Sequence, residues 1–323
     1  PNKRHRFSKR FKTLGTFTLG ASLIMTSSMT WNLSQDIRDA FGLAEAQISA
    51  ITTGHINTTL LVVQGDKKSI LQRLNPIFGA DVHRDIYAIR DLIDGEVAMP
   101  ALLPTQNGYL WFKTESGEIW RMLEWMPGQT YVKAQSLEMC QSAGHLVGRF
   151  HRALHGKDHE FFHRRLGVHD TQAHLKTLKQ ALTEHTAHPG YEEVAEMAGP
   201  VCESLEELED LNGFPERICH GDLKISNLLF DGQEATALID LDTLAPMPLA
   251  HEMGDALRSW CNLKDEDSAD ASFSLPHFEA ALRGYCQATE GLFAADELLS
   301  IVCGLETIAL ELTVRFLADA LNE

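Results

Sequence analysis

The stretch Ile218-Cys219-His220-Gly221-Asp222-Leu223-Lys224-Ile225-Ser226-Asn227-Leu228-Leu229-Phe230 constrains this chain more than any other. It sets His, Asp, Lys and Asn on one short polar loop between apolar runs. A β-rich stretch, Ala237-Leu238-Ile239-Asp240-Leu241-Asp242, then presents an acidic pair whose first member lies 13 residues after the Asn. A bare His-x-Asp would be explained by a capped turn joining two buried strands. The longer run, with its Leu-Leu-Phe strand, Gly turn and Ile-Asp-x-Asp, implies chemistry.

The layout suits transfer of a phosphoryl group from Mg-ATP to a hydroxyl. The barrier of such a reaction is mainly positioning and charge, so a carboxylate within reach of the acceptor hydroxyl can serve as base. Asp222 fits that role, two residues after a His that can brace the loop. Lys224 can offset charge growing on the transferred group. Asn227 offers a neutral oxygen to Mg²⁺ and Asp240 a charged one, as hard cations prefer. Asp242 reads equally as a second metal-facing carboxylate or as a solvated strand end.

Upstream, the chain divides by pattern. Leu33 to Phe41 reads as a short helix, with strands at Ile48–Thr53, Thr58–Val63 and Ser69–Leu74. A helix over Asp81–Ile93 and a hairpin of Tyr109–Thr114 with Ile119–Trp125 complete an antiparallel β-lobe over residues 31–126. Met126-Pro127-Gly128 breaks the pattern and marks the boundary. Residues 127–323 read as a mostly helical lobe carrying the polar loop. Its predicted helices are Ala134–His155, Thr171–His185, Tyr191–Asp210, His277–Thr289, Ala295–Cys303 and Leu305–Leu321.

Residues 1–30 are set apart by charge. Their six basic side chains meet no acid, which leaves 22 basic against 45 acidic in the remainder, a net −23. So acidic a body repels nucleic-acid phosphate and excludes nucleic acid as partner. Residues 13–26 form an apolar run behind the basic start, resembling a signal peptide's first two regions without an Ala-x-Ala site, and too short to span a bilayer. The extension is expected to be peripheral to the fold, and the protein to be cytoplasmic, where ATP is supplied. The six cysteines show no pairing pattern and are expected to be reduced thiols. His145, His151, His155, His159, His163 and His169 lack metal-ligand spacing and read as core or solvated residues.

The loop and its Ile-Asp strand resemble the aminoglycoside phosphotransferase and choline kinase-like superfamily. Within it, Gly54-His55-Ile56-Asn57-Thr58-Thr59 and Ile70-Leu71-Gln72-Arg73-Leu74-Asn75 are similar to N-acetylhexosamine 1-kinases. So are Ile239-Asp240-Leu241-Asp242-Thr243, Gly254-Asp255-Ala256-Leu257-Arg258 and Arg315-Phe316-Leu317-Ala318-Asp319. The resemblance covers roughly residues 45 to 320. It implies an α+β, two-lobed protein-kinase-like fold that binds ATP and Mg²⁺.

It also implies roles for further residues. Gly54, His55 and Asn57 would belong to the turn covering the nucleotide. Arg73 would stand where kinases present a Lys to the phosphates, with Asp85 the candidate partner on the next helix. Glu124 and Met126 would lie in the hinge against adenine. Asp255 would brace the catalytic loop. Arg258 would meet the acceptor or pair with an acid. Arg315 would either contact substrate or pair within its own helix, where Glu311 is better placed than Glu306. The implied acceptor is the anomeric hydroxyl of an N-acetylhexosamine, the alternatives being an aminoglycoside, choline, ethanolamine or another sugar. Two readings from other classes are a catalytically inactive nucleotide-binding regulator and a membrane-tethered scaffold.

Overall fold

The computed structural model describes residues 26–51, 56–164, 169–264 and 272–323, with burial assigned from Trp31 onward. An antiparallel sheet forms the first part. Its strands are β1 (Thr26–Thr30), β2 (Gln47–Ile51), β3 (Thr58–Gln64), β4 (Lys67–Arg73), β5 (Leu102–Leu103), β6 (Phe112–Lys113) and β7 (Ile119–Glu124). The order is β1-β2-β3-β4-β7-β5, with β6 pairing β7. The end of the basic extension is thus part of the fold, because β1 adds an edge strand beside β2. The rest of that extension, including almost all of its apolar run, lies outside the described residues.

Alternation along the strands gives the sheet two different faces. Leu60, Val62, Leu71 and Trp120 point one way and bury against Leu33, Ile37 and Phe41 around helix α1 (Gln35–Phe41). Each such side chain contributes roughly 1.5–3 kcal/mol by leaving water. Ile70, Gln72, Arg121 and Leu123 occupy the alternate positions. On that side lies α2 (Val82–Ile93), whose Ile86, Ile89 and Ile93 share a cluster with Leu102 and Leu123 that runs on into the helical part.

That part contains α3 (Leu137–Leu154), α4 (Thr171–Glu184), α5 (Tyr191–Glu207), α6 (Leu249–Trp260), α7 (Leu275–Ala288) and α8 (Ala295–Asn322). Two small antiparallel pairs complete it. β8 (Glu216–Cys219) pairs β11 (Ala245–Pro248), and β9 (Leu228–Asp231) pairs β10 (Glu234–Leu238). The chain enters from the sheet through residues 125–128, after which Gln129 and Phe230 exchange backbone hydrogen bonds at 2.9 Å. The arrangement is the expected α+β one, antiparallel strands first and helices after. Among the described residues no helix is long and apolar enough to cross a membrane, and all six cysteines are free.

One expectation fails in an informative way. Gly304 reads as a break between two helices, yet α8 runs through it without interruption. The glycine serves a helix crossing instead. A Cβ on Gly304 would lie 1.9 Å from the Ala250 carbonyl oxygen, and one on Gly254 of α6 would lie 2.5 Å from the Gly304 backbone. Two missing side chains let α6 and α8 touch backbone to backbone, which fixes α6 behind the polar loop.

Gly304→Ala is therefore expected to destabilise the fold by about 2 kcal/mol or more, since the helices must separate. The urea midpoint of this variant against wild type checks the sign.

Candidate active site

The polar loop runs from β8 to β9, and the strand ends fix its two sides. A turn at residues 225–227 closes it, with the Asn227 N–H donating to the Lys224 carbonyl at 2.9 Å. Asp222, Lys224 and Asn227 converge. Asp222 Oδ2 accepts from Lys224 Nζ at 3.0 Å and from Asn227 Nδ2 at 2.9 Å, and that same amide also reaches the Asp222 carbonyl at 2.8 Å. Asn227 is buried and spends its N–H groups on Asp222, which leaves its carbonyl oxygen as the donor for a cation. The Asn227 carbonyl of the main chain accepts from the Ile239 N–H at 2.9 Å. That bond ties the loop to the strand end carrying Asp240.

The loop is held from behind by α6. Glu252 accepts the His220 N–H at 2.7 Å through Oε1 and the Gly221 N–H at 2.9 Å through Oε2. The His220 ring donates Nε2–H to the Ile239 carbonyl at 2.9 Å, and Thr243 Oγ1 donates to the His220 carbonyl at 2.9 Å. Trp260 Nε1 donates to the Leu223 carbonyl at 2.7 Å, and the Ile225 N–H reaches Ser259 Oγ at 3.2 Å. Gly221 is required: its φ is +79°, and a Cβ there would meet the Thr243 carbonyl oxygen at 2.2 Å.

The bracing residue is therefore Glu252, not Asp255. Asp255 instead pairs with Arg258, whose Nη2 lies 2.9 Å from its Oδ1. Glu252 had a readable signal. It occupies a buried position on the same apolar helix as Leu249, Met253, Ala256 and Trp260, where an acid needs partners.

Asp240 stands in left-handed backbone, with φ at +63°. Burial, together with the nearby Asp242 and Asp222 carboxylates, raises its pKa above the ordinary carboxylate value. Like charges gathered around a strained residue are the environment that a cation relieves. Asp240 and the Asn227 carbonyl are both hard oxygen donors, so the residues present fit Mg²⁺.

Asp242 does not serve as a second exposed metal carboxylate, nor is it a solvated strand end. It is buried and bidentate to Arg121 of β7, with Nη2 at 2.9 Å from Oδ2 and Nη1 against Oδ1. Asn57 Nδ2 adds a 2.7 Å bond to the same Oδ2. Gln72 Oε1 accepts twice from Arg121, at 2.9 and 2.7 Å. Burial alone would push the Asp242 carboxyl up, but Arg121 and Asn57 outweigh it and hold it below the ordinary value. Nearby His83 stacks on Trp111 at 5.2 Å between ring centroids, and burial plus Arg121 lower its pKa to about 4. The imidazole is thus neutral beside the pair. Removing either partner of such a buried pair costs about 3–5 kcal/mol.

Other expected residues fall elsewhere. Arg73 shares the outward sheet face with Leu71 and pairs Glu118 at 2.8 Å and Thr58 Oγ1 at 3.2 Å. Gln72 and Arg121 hold the inward positions. Strand alternation explains the shift: one residue along β4 changes the face. Asp85 does not pair with Arg73. It accepts from His159 Nε2 at 2.7 Å and from the Phe162 and His163 N–H groups at 3.0 and 2.9 Å.

Glu124 closes β7, and together with Met126 it borders an open cavity beside Arg90, Val97 and Met99. Arg315 is exposed on α8, about 16 Å along the helix axis from the Gly304 crossing. Its expected helix partner Glu311 bonds His169 and Thr171 instead. Gly54 and His55 lie outside the described residues. A second open cavity of about 410 Å³ borders Gly221, Thr243, Met247 and His251. Neither Asp222 nor Asn227 lines it.

The raised Asp240 pKa carries a sign. An acid whose folded pKa exceeds its unfolded value disfavours the folded state once ionised, so the ligand-free protein gains stability as pH falls toward that pKa. Asp240→Asn removes the charge and keeps a side chain that tolerates left-handed backbone. Its melting temperature without ligand is expected to exceed wild type, while stabilisation by Mg²⁺-nucleotide is lost. Differential scanning fluorimetry with and without Mg-ATP checks both.

Comparison with known proteins matches this geometry to a family. The model of the phosphotransferase enzyme family matches residues 47–291. Among solved structures, the fold is similar to an amicoumacin kinase in complex with AMP-PNP and Ca²⁺, at 14% identity and TM-score 0.61, over 88% of this chain and 92% of that one. It is similar to a microcompartment-associated aminopropanol kinase at 15% identity and TM-score 0.57, over 89% and 93%. An ethanolamine kinase from Plasmodium vivax follows at 13% and 0.55, over 87% and 78%. At such identities the likeness carries the kinase-like fold alone. The family match spans most of the chain, and the chain belongs to the phosphotransferase enzyme family.

Proposed function

We propose that this phosphotransferase moves the γ-phosphoryl group of Mg-ATP to a hydroxyl of a small molecule, with the anomeric hydroxyl of an N-acetylhexosamine as the acceptor. The observation that carries the transfer reading is the convergence of Lys224 Nζ and Asn227 Nδ2 on Asp222 Oδ2, at 3.0 and 2.9 Å. That arrangement aims the carboxylate, as a base for a hydroxyl must be aimed.

In the step itself the acceptor oxygen forms a bond to the γ-phosphorus as the bond to the β–γ bridging oxygen breaks. ADP leaves with that electron pair, and the hydroxyl proton passes to Asp222. Lys224 offsets negative charge near the transferring group. Asn227 and Asp240 would hold the magnesium ion, which supplies positive charge against the phosphate oxygens when bound. The backbone of residues 123–126 is the proposed adenine-facing edge. Arg258, released from Asp255, would reach an acceptor. The sugar assignment rests on the Gly54–Thr59, Ile239–Thr243 and Gly254–Arg258 motifs. Supply of ATP puts the enzyme in the cytoplasm.

A second reading takes an amine-bearing acceptor. The net −23 of residues 31–323 attracts a cation, and the structural neighbours include kinases named for aminopropanol and ethanolamine. An inactive regulator is the weaker reading, since Asp222, Asn227 and Asp240 are all in place.

ADP release with Mg-ATP is measured across N-acetylglucosamine, N-acetylgalactosamine, kanamycin, choline and ethanolamine. An N-acetylhexosamine is expected to give the highest kcat/KM, and Asp222→Asn to lower it roughly 100-fold or more with an unchanged melting temperature. Acceptor-dependent turnover near wild type in Asp222→Asn would falsify the role of the base. A preference for an amino alcohol or aminoglycoside overturns the sugar assignment.

A further inference from the structure

Behind the loop brace lies a buried histidine that the transfer step does not use. His151, on α3, is 3% exposed. Its Nδ1 is 3.0 Å from the Tyr285 hydroxyl on α7, and its Nε2 has no hydrogen-bond partner among the described residues. That Nε2 faces Glu252 Oε1 at 3.6 Å, longer than a hydrogen bond but within strong electrostatic reach where neither group meets water. Glu252 is the carboxylate that accepts the His220 and Gly221 N–H groups. Tyr285, His151, Glu252 and the loop backbone therefore form one line across α7, α3, α6 and the residue before Asp222.

The tautomer follows from the neighbours. Were Nδ1–H to donate to the Tyr285 oxygen in a neutral ring, the Nε2 lone pair would face a carboxylate and repel it. With the Tyr285 hydroxyl donating to Nδ1, the ring hydrogen sits on Nε2 and points at Glu252. A buried carboxylate with two N–H donors still carries unmet charge, and His151 is the side chain placed to answer it.

The same corner offers a metal reading, which the chemistry disfavours. His151 Nε2, Cys219 Sγ and a Glu252 oxygen lie within 4.8 Å of one another. Yet a cysteine binds a metal as its thiolate, burial holds the Cys219 thiol well above its ordinary pKa, and both Glu252 oxygens already accept N–H groups.

We propose that His151 is a positioning residue for phosphoryl transfer: oriented by Tyr285, it holds Glu252 in the rotamer that fixes the His220–Gly221 backbone, and through it Asp222. The proposal rests on the transfer reading above, and its test includes a readout that needs no turnover. The set is wild type, His151→Leu, His151→Gln, Tyr285→Phe, Glu252→Gln and the His151→Leu/Glu252→Gln double variant. Each is measured for kcat, for the KM of ATP, and for amide hydrogen exchange of the segment 216–224.

His151→Leu is expected to lower kcat about tenfold, with KM for ATP within about twofold of wild type. Exchange should quicken in 216–224 and stay unchanged in the sheet. His151→Gln, whose amide can still present an N–H to Glu252, should recover most of kcat. Tyr285→Phe keeps the packing and should quicken exchange in the same segment, so the test survives if His151→Leu fails to fold. The double variant should be no slower than Glu252→Gln alone. Multiplying losses in the double variant, or loop exchange unchanged in His151→Leu and Tyr285→Phe, overturns the proposal. Quickened loop exchange in a protein that transfers to no acceptor leaves the positioning intact and fails the transfer reading instead.

Discussion

Two backbone N–H groups, those of His220 and Gly221, end on one buried carboxylate, and the geometry of the loop depends on that contact. The Glu252 side chain is on α6, and α6 is seated by the glycine crossing with α8. Helix packing thereby sets the height of a backbone turn, and the turn sets where Asp222 points. Burial alone would push the Glu252 carboxyl up, but the imidazoles and backbone N–H groups around it hold it below the ordinary value. It remains an acceptor for both amides through the neutral range.

A second constraint is charge left unrelieved. Asp222, Asp240 and Asp242 lie close enough to raise the Asp240 pKa, and Asp240 sits in left-handed backbone besides. Such strain costs on the order of 1–3 kcal/mol and persists where the surroundings over-determine it. Here Arg121 neutralises Asp242 while Lys224 pairs Asp222, so Asp240 is the acid left to a cation. The Arg121–Asp242–Asn57 cluster also links the sheet to the segment after β10. Asn57, just before β3, and Asp242, just after β10, thus meet at one buried pair.

Much of this was legible in the sequence because it is local. The polar loop, its strands and α2, α3, α4 and α7 follow from period and punctuation. What escaped depends on pairings distant in sequence. Asp242 meets Arg121 across 121 positions and Asn57 across 185, and no spacing rule reveals either partner. The family resemblance implies Arg73 at the phosphates, whereas the face of β4 is set by which residues bury under α1. Gly304 reads as a helix break in isolation and becomes a crossing point only when α6 lies against it. Glu252 could have been found, since an acid on a buried helix face announces a partner, though not which one.

The most direct test of the central claim observes the product bond. ³¹P NMR of the enzyme with Mg-ATP and N-acetylglucosamine or N-acetylgalactosamine distinguishes transfer to the acceptor from hydrolysis. The account predicts a new phosphomonoester resonance split by the anomeric proton, growing in step with ADP and absent in Asp222→Asn. Inorganic phosphate as the sole phosphorus product beside ADP, with these and with amine-bearing acceptors alike, would contradict it.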